Sequence, residues 1–188
     1  MNLENKKWFA RVCLAAVSLT IWGGDPLSGE ENEDAKEEKE IILPQTKEEA
    51  KVRAQILHDT IHATLQFVHR DFFDPLEMDL IPSATLEEVF EEVEEKWAIE
   101  IRWLGVEGKT MNVDHKPRDK FEQKAVEALA KGEKEFETME GRIFRRAAPI
   151  VLHNACLKCH VPDRTSLEDR VAGLVISMPL AKKGEAKK

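Results

Sequence analysis

Tyrosine is absent from the 188 residues, which removes one common acid–base and ligand type. Only three cysteines are present, too few for a disulfide-dense scaffold. Basic side chains are in the minority, 28 Lys and Arg against 36 Asp and Glu, and the formal net charge is −8. An acidic chain gains little from counterion release, which argues against DNA or RNA as a partner. No uninterrupted apolar run reaches the roughly 20 residues of a spanning helix. Against these absences stand 42% hydrophobic and 34% charged residues, a balance that supports a packed core rather than a disordered chain. The length suits one ordinary domain with an N-terminal extension.

That extension reads as an export segment over residues 1–24. Lys6, Lys7 and Arg11 give a basic start, an apolar stretch over 12–22 follows with Ser18 and Thr20 as its only breaks, and Gly23, Gly24, Asp25 and Pro26 form a turn. No small-x-small cleavage site is evident, so a retained membrane anchor is the second form of the same reading. Either way the expected location is periplasmic or otherwise exported. Residues 25–45 read as an acidic linker, with Glu30, Glu31, Glu33, Asp34, Glu37, Glu38 and Glu40 opposed only by Lys36 and Lys39. The domain proper is expected over 46–180 and a frayed polar tail over 181–188.

Within 46–180 helices come before strands. Thr46 and Glu49 form a capping-box pattern ahead of a long helix in which Ala54, Leu57, Ile61, Leu65, Val68 and Phe72 recur at helical spacing; Pro75 closes it. Thr85 and Glu88 predict the start of a second helix whose buried face is Leu86, Val89, Phe90, Val93 and Trp97. Residues 97–106 alternate, which predicts a strand with Ile99, Ile101 and Trp103 inward and Arg102 and Leu104 outward. Pro117 is expected to open a third helix and Gly132 to follow its end. Strands are expected over 135–140 and 142–152, joined by a tight turn at Gly141, and over 172–178, stopped by Pro179. Helices followed by an antiparallel sheet define an α+β fold.

The chemistry is concentrated in Cys156-Leu157-Lys158-Cys159-His160. Two thiols three apart, with histidine directly after the second, form the attachment pattern of a c-type haem. The thiols add to two vinyl groups on one edge of the porphyrin, and the next residue then falls under the ring centre, where an imidazole reaches iron. A structural zinc site would need a second ligand pair, and His153 and His160 have an unusual spacing for it. A thioredoxin-like dithiol would open a helix after a strand in a βαβ unit, and none is evident. A plain disulfide across two residues would be strained. Export favours the haem. For the sixth ligand, His58, His62 and His69 share one stripe of the first helix, bordering its apolar face. His62, central and flanked by Ile61 and Ala63, is the first choice and His58 and His69 are the alternatives. Met78, Met111, Met139 and Met178 are rival thioether ligands, an open site is a further option, and His115 sits in a polar loop.

Residues from about 46 to 180 resemble the haem-c-binding, PAS-like proteins long classed as a domain of unknown function. The resemblance rests on four segments in order. Asn112-Val113-Asp114-His115-Lys116-Pro117-Arg118-Asp119-Lys120-Phe121-Glu122 looks like that family's loop leading into a helix with an aromatic-Glu pair. Arg145-Arg146-Ala147-Ala148-Pro149-Ile150 looks like its strand before the haem, the Cys156–His160 motif matches, and Gly173-Leu174-Val175-Ile176-Ser177-Met178-Pro179 looks like the closing strand. The resemblance implies a five-stranded PAS-like sheet with a long N-terminal helix and flanking helices. It carries Cys156, Cys159 and His160 over as the attachment of one covalent haem c and its proximal ligand, and it implies a distal ligand from the helical side. Some relatives use cysteine there. This chain has none outside Cys13 and the motif, which turns the role toward histidine. Val113 and His115 depart from the family's loop. Arg145 and Arg146 are candidates for the haem propionates; adjacent on a strand, they point to opposite faces, so at most one serves.

Two functions follow. One is an exported monohaem cytochrome that transfers electrons, with a redox partner protein steered by the acidic surface. The other is a haem-based redox or gas sensor acting through a separate signalling partner. The absence of an output module after Pro179 favours the first. Peroxidase-like turnover would need acid–base groups around an open iron. His115 and Arg102 are the candidates, but they form no constellation, and the chain is not expected to be an enzyme.

Overall fold

The computed structural model describes residues 41–72, 74, 81–107, 112–161, 163 and 165–182. The export segment 1–24, most of the acidic linker, Pro75, Met78, Met111, most of the tail and the side chain of Cys159 lie outside these residues. Helix α1 is Lys47–Phe72, α2 is Pro82–Trp97, β1 is Glu100–Leu104, α3 is Lys120–Ala130, β2 is Phe136–Glu140, β3 is Ile143–Leu152, α4 is Asn154–His160 and β4 is Arg170–Pro179. A 3-10 turn at Val113–His115 precedes α3. Among the described residues no helix is long and apolar enough to cross a membrane.

The fold is α+β, as expected. All strand pairs are antiparallel and the order is β1-β4-β3-β2. The sheet has four strands among the described residues, where the resemblance implied five. β4 is longer than expected and reaches Pro179, whose ring is tolerated at a strand end. The β2–β3 hairpin closes at Gly141, with φ +62°, a conformation in which glycine carries no Cβ penalty.

Helices cover both faces of the sheet. Ala50, Ala54 and Ile61 of α1 and Phe90 of α2 meet Ile101, Trp103, Phe144, Ile150, Leu174, Ile176 and Met178 on one face. Phe121, Ala125 and Leu129 of α3 meet Leu104, Ala147 and Val175 on the other. Ala50 and Ala54, both 0% exposed, let α1 approach the strands closely. A sheet buried on two faces does not alternate. Leu104 and Arg102, expected outward, are therefore buried.

Several helix boundaries also differ from expectation. Thr46 does cap α1, accepting from Glu49 N–H at 3.1 Å. α2, however, begins at Pro82, three residues before Thr85, because proline suits the first helical turn. It runs through Trp97 and stops at Ala98, which takes the left-handed conformation and donates its N–H to the Glu94 carbonyl. Trp97 is thus helical, and it and Val89 are exposed, at the last turn and the edge of the inward stripe. α3 starts after Asp119, whose carboxylate accepts the Glu122 N–H; Pro117 lies just ahead of that cap.

Ion pairs fasten the first half of α1 to the β2 side of the sheet. Lys51 reaches Glu135 at 2.5 Å and Glu137 at 2.8 Å, Lys47 reaches Glu137 at 2.8 Å, and Arg146 reaches Glu135 at 2.8 Å. Burial alone would raise the Glu135 carboxyl, but the hydrogen bonds from Lys51 and Arg146 outweigh it and hold the pKa at about 2, below the ordinary 4.5. A folded-state value below the unfolded one gives stability that is present above pH 4.5 and lost as the pH falls toward 2. Thermal unfolding across that interval should show a falling midpoint, and Glu135→Gln should lower the midpoint at neutral pH while making the acid slope shallower. An unchanged slope would show that this clamp does not carry the acid sensitivity.

Candidate functional site

The Cys-x-x-Cys-His segment is helix α4, directly after β3. β3 ends at Leu152, His153 takes the N-cap position, and its carbonyl accepts from the N–H groups of Cys156 at 2.8 Å and Leu157 at 3.1 Å. The His153 ring lies beside Asp169, 3.0 Å from its carboxylate. Leu157, at 0% exposure, anchors the helix to the core. Positions three and four apart on a helix share one side, so the backbone brings positions 156, 159 and 160 to the same side. Cys156 and His160 are half-buried. Burial, and then the charges of His69 and His115, hold the His160 imidazole below its ordinary pKa, which keeps it in the neutral form that a metal takes.

The three histidines of α1 separate by height along the helix. His58 is buried, with Nε2 3.1 Å from the Pro149 carbonyl and Nδ1 3.1 Å from Asp59. Both ring nitrogens are engaged, so His58 fastens α1 to β3 and is not free to serve as a ligand. His62 lies one turn on. Its Nε2 is 3.3 Å from the Gln66 amide nitrogen, which in turn donates to the Val151 carbonyl at 3.0 Å. Burial, then the charge of His58, lowers the His62 pKa, and His153 adds to it. His69, two turns further, is half-buried, with its pKa lowered chiefly by burial.

β3 ends where α1 still has turns to run, and this leaves the last turn of α1 beyond the sheet. Phe72 lies on the core-facing stripe of α1 yet is 82% exposed. The helix periodicity alone placed it inward.

Those of the rival ligands and acid–base candidates that lie among the described residues are engaged elsewhere. Met178 is 0% exposed in the core and Met139 packs against the same cluster; Met78 and Met111 lie outside the described residues. His115 is not a bare loop residue: it closes the 3-10 turn capped by Asn112, with Nε2 2.6 Å from Glu87. Arg102 is buried against Glu122 at 2.5 Å and also donates to the Asp114 and Lys116 carbonyls, so it has no acid–base reach.

Arg145 and Arg146 do face opposite sides of the sheet. Arg145 stacks over Phe121, 4.3 Å from the ring centre, and pairs with Asp119 at 2.7 Å and Glu140 at 3.2 Å. Arg146 pairs with Glu135. Both sit near the start of β3, whereas the motif follows its end. Both guanidiniums are held by these carboxylates, away from the strand end that leads into the motif.

These features define an α+β domain with a Cys-x-x-Cys-His helix directly after β3 and a long helix that carries three histidines. The chain belongs to the Tll0287-like family, whose model matches residues 38–174. Among solved structures it is similar to the cyanobacterial heme-protein Tll0287, at 16% identity and a TM-score of 0.48, over 73% of this chain and 98% of that one. No curated protein matches the chain.

Proposed function

We propose that this chain is an exported c-type haem protein that carries one covalent haem and transfers electrons. The observation that carries the reading is the Cys156–His160 motif on a short, core-anchored helix, with His160 half-buried so that burial favours its neutral form. The residues fit the group. Thiols at positions 156 and 159 have the spacing for two thioethers. His160 offers an unprotonated nitrogen, and exposed Phe72 with half-buried Val68 offers apolar surface on the overrunning turns of α1.

The bound haem supplies one-electron chemistry at its iron. His160 would hold the iron, and Leu157 keeps its helix fixed to the core. On the distal side His69 would serve before His62, because it lies on the turns of α1 past the Gln66–Val151 contact, toward the end of β3 that α4 follows. Two imidazoles would set a lower potential than imidazole with thioether, and a protein-filled sixth site suits an electron carrier better than a gas sensor. The acidic chain suits a basic redox partner.

The test is a pyridine haemochrome on protein made in a host competent for cytochrome c maturation, followed by reduced spectra with and without carbon monoxide. A covalent c-type haemochrome, and a reduced spectrum indifferent to carbon monoxide, are expected. His69→Ala should open the iron to carbon monoxide and His62→Ala should not. The reverse pattern would assign the ligand to His62. Ready binding by the unaltered protein would turn the reading toward sensing, and colourless protein would end it.

A further inference from the structure

α3 covers only part of its face of the sheet. Val175 and Ala147 pack beneath it, and two further rows of the same face run on past its first turn. One row is Glu100, Ser177 and Arg145, paired in that order across β1, β4 and β3; the next is Pro179, Ile143 and Glu140, across β4, β3 and β2. These rows floor a cavity of about 560 Å³, walled by Arg118, Asp119 and Glu122 at the start of α3 and by Glu94 of α2. Ile176 and Met178 pack on the opposite face, so Ser177 between them points into the cavity. Ser177 is 7% exposed, and its hydroxyl has no hydrogen-bond partner among the described residues. A buried polar group left in this way is the mark of a site that takes a ligand.

The charges around the cavity state the sign of that ligand. Glu122 is balanced by Arg102. Four other lining carboxylates, Glu94, Glu100, Asp119 and Glu140, then face two guanidiniums, Arg118 and Arg145, an excess of two negative charges. Arg145 is already held by Asp119 and Glu140, so an anion would find no free donor there. The carboxylates also stand at two ends. Glu94 and Glu100 lie on the β1 side and Glu140 on the β2 side, and the strand order puts three steps of about 4.8 Å, or about 14 Å, between those two backbones. Pro179 and the 45% exposed Ile143 form an apolar floor between the two ends.

We infer that this cavity binds an aliphatic polyamine, a methylene chain with an ammonium group at each end. An ammonium has three donors, and the β1 end offers three acceptors: the Glu94 and Glu100 carboxylates and the Ser177 hydroxyl, which lies directly across the strand pair from Glu100. The methylenes lie along Pro179 and Ile143, and the second ammonium meets Glu140. The two positive charges match the two negative ones in excess. A monoamine would neutralise one end only, and a bare metal ion would leave the apolar floor in water.

The test is calorimetric titration of the full chain with spermidine at low ionic strength. Saturable binding at one site is expected, about tenfold tighter than that of butylamine and not displaced by an equal concentration of magnesium ion. Glu94→Gln and Ser177→Ala should each weaken it about tenfold, and Ile143→Lys, which sets a cation on the floor, should abolish it, all with the far-ultraviolet dichroism unchanged. The Cys156–His160 motif takes no part, so the result does not depend on the haem. Absence of saturable binding overturns the inference. So does binding that magnesium displaces as readily as spermidine does, which would mark an acidic surface only, or binding that ignores both Ser177→Ala and Ile143→Lys, which would place it elsewhere on the chain.

Discussion

Replacing Cys156 and Cys159 together by alanine should yield a colourless chain with no covalent haemochrome, the largest functional change any substitution here is expected to produce. Both thioether bonds disappear at once, and His160 alone cannot retain a haem through denaturation in alkaline pyridine. Each single substitution should behave differently: one thioether survives, the haem stays attached, and the haemochrome band shifts to longer wavelength because one vinyl group remains conjugated with the ring. His160→Ala should keep attachment in part but change the ligand field. The backbone accounts for this graded response. α4 is capped by the His153 carbonyl and anchored by Leu157, neither of which depends on the thiols, so the helix forms without them. The apo double variant should therefore keep its far-ultraviolet dichroism. Haem retained through denaturation in the double variant would show that attachment lies elsewhere. Loss of helix and sheet signal alongside the colour would show that the thiols serve the fold rather than a cofactor.

The motif was legible in the sequence because it lies within five consecutive residues, whose spacing is set before any fold exists. The choice among histidines was not legible to the same degree. Helical periodicity gives the face that His58, His62 and His69 share, but not the height of each along the sheet. That height is set by where β3 stops, at Leu152, and by the bonds from His58 to the Pro149 carbonyl and from Gln66 to the Val151 carbonyl. These contacts hold the first two histidines over the strand, and His69 follows two turns further along α1. Phe72 misled for the same reason, since an inward-facing position means burial only while there is a sheet beneath it.

The fold class was readable from the order of patterns, and the details failed where two local rules met. Alternation from Trp97 onward resembles a strand from its first residue, yet α2 runs through Trp97 and reverses at Ala98 in a left-handed conformation that glycine or asparagine usually marks. Without that marker the boundary could not be seen. Arg102 was assigned to a solvent face because alternation assumes one. With α3 on the second face there is no such side, and a buried arginine then requires a buried carboxylate. The carboxylate proved to be Glu122, already noticed as the second member of an aromatic-Glu pair but without a role.

Glu122→Ala is the substitution expected to cost the most stability, about 3–5 kcal/mol, the range for removing one partner of a buried ion pair. Glu122 is 1% exposed and joins three parts of the chain. Its carboxylate accepts from Arg102 of β1 at 2.5 Å and from the Arg118 backbone N–H at 2.6 Å, and Arg145 of β3 approaches it at 3.5 Å. Truncation leaves the Arg102 charge at 7% exposure with, among the described residues, the Asp114 and Lys116 carbonyls as partners, and it removes the acceptor of the Arg118 N–H. A buried charge without its counterion is the expensive outcome, so the thermal midpoint should fall by roughly 10 °C or more. Glu122→Gln keeps the shape and one acceptor oxygen and should fall by less. Arg102→Met combined with Glu122→Leu removes both charges and should recover much of the loss, but not all of it, because the Asp114 and Lys116 carbonyls then lose their donor. Denaturant unfolding of the three variants separates these terms. An alanine variant within about 1 kcal/mol of the parent would mean that water reaches Arg102, and that the pair is not the tie between α3 and the sheet that its geometry describes.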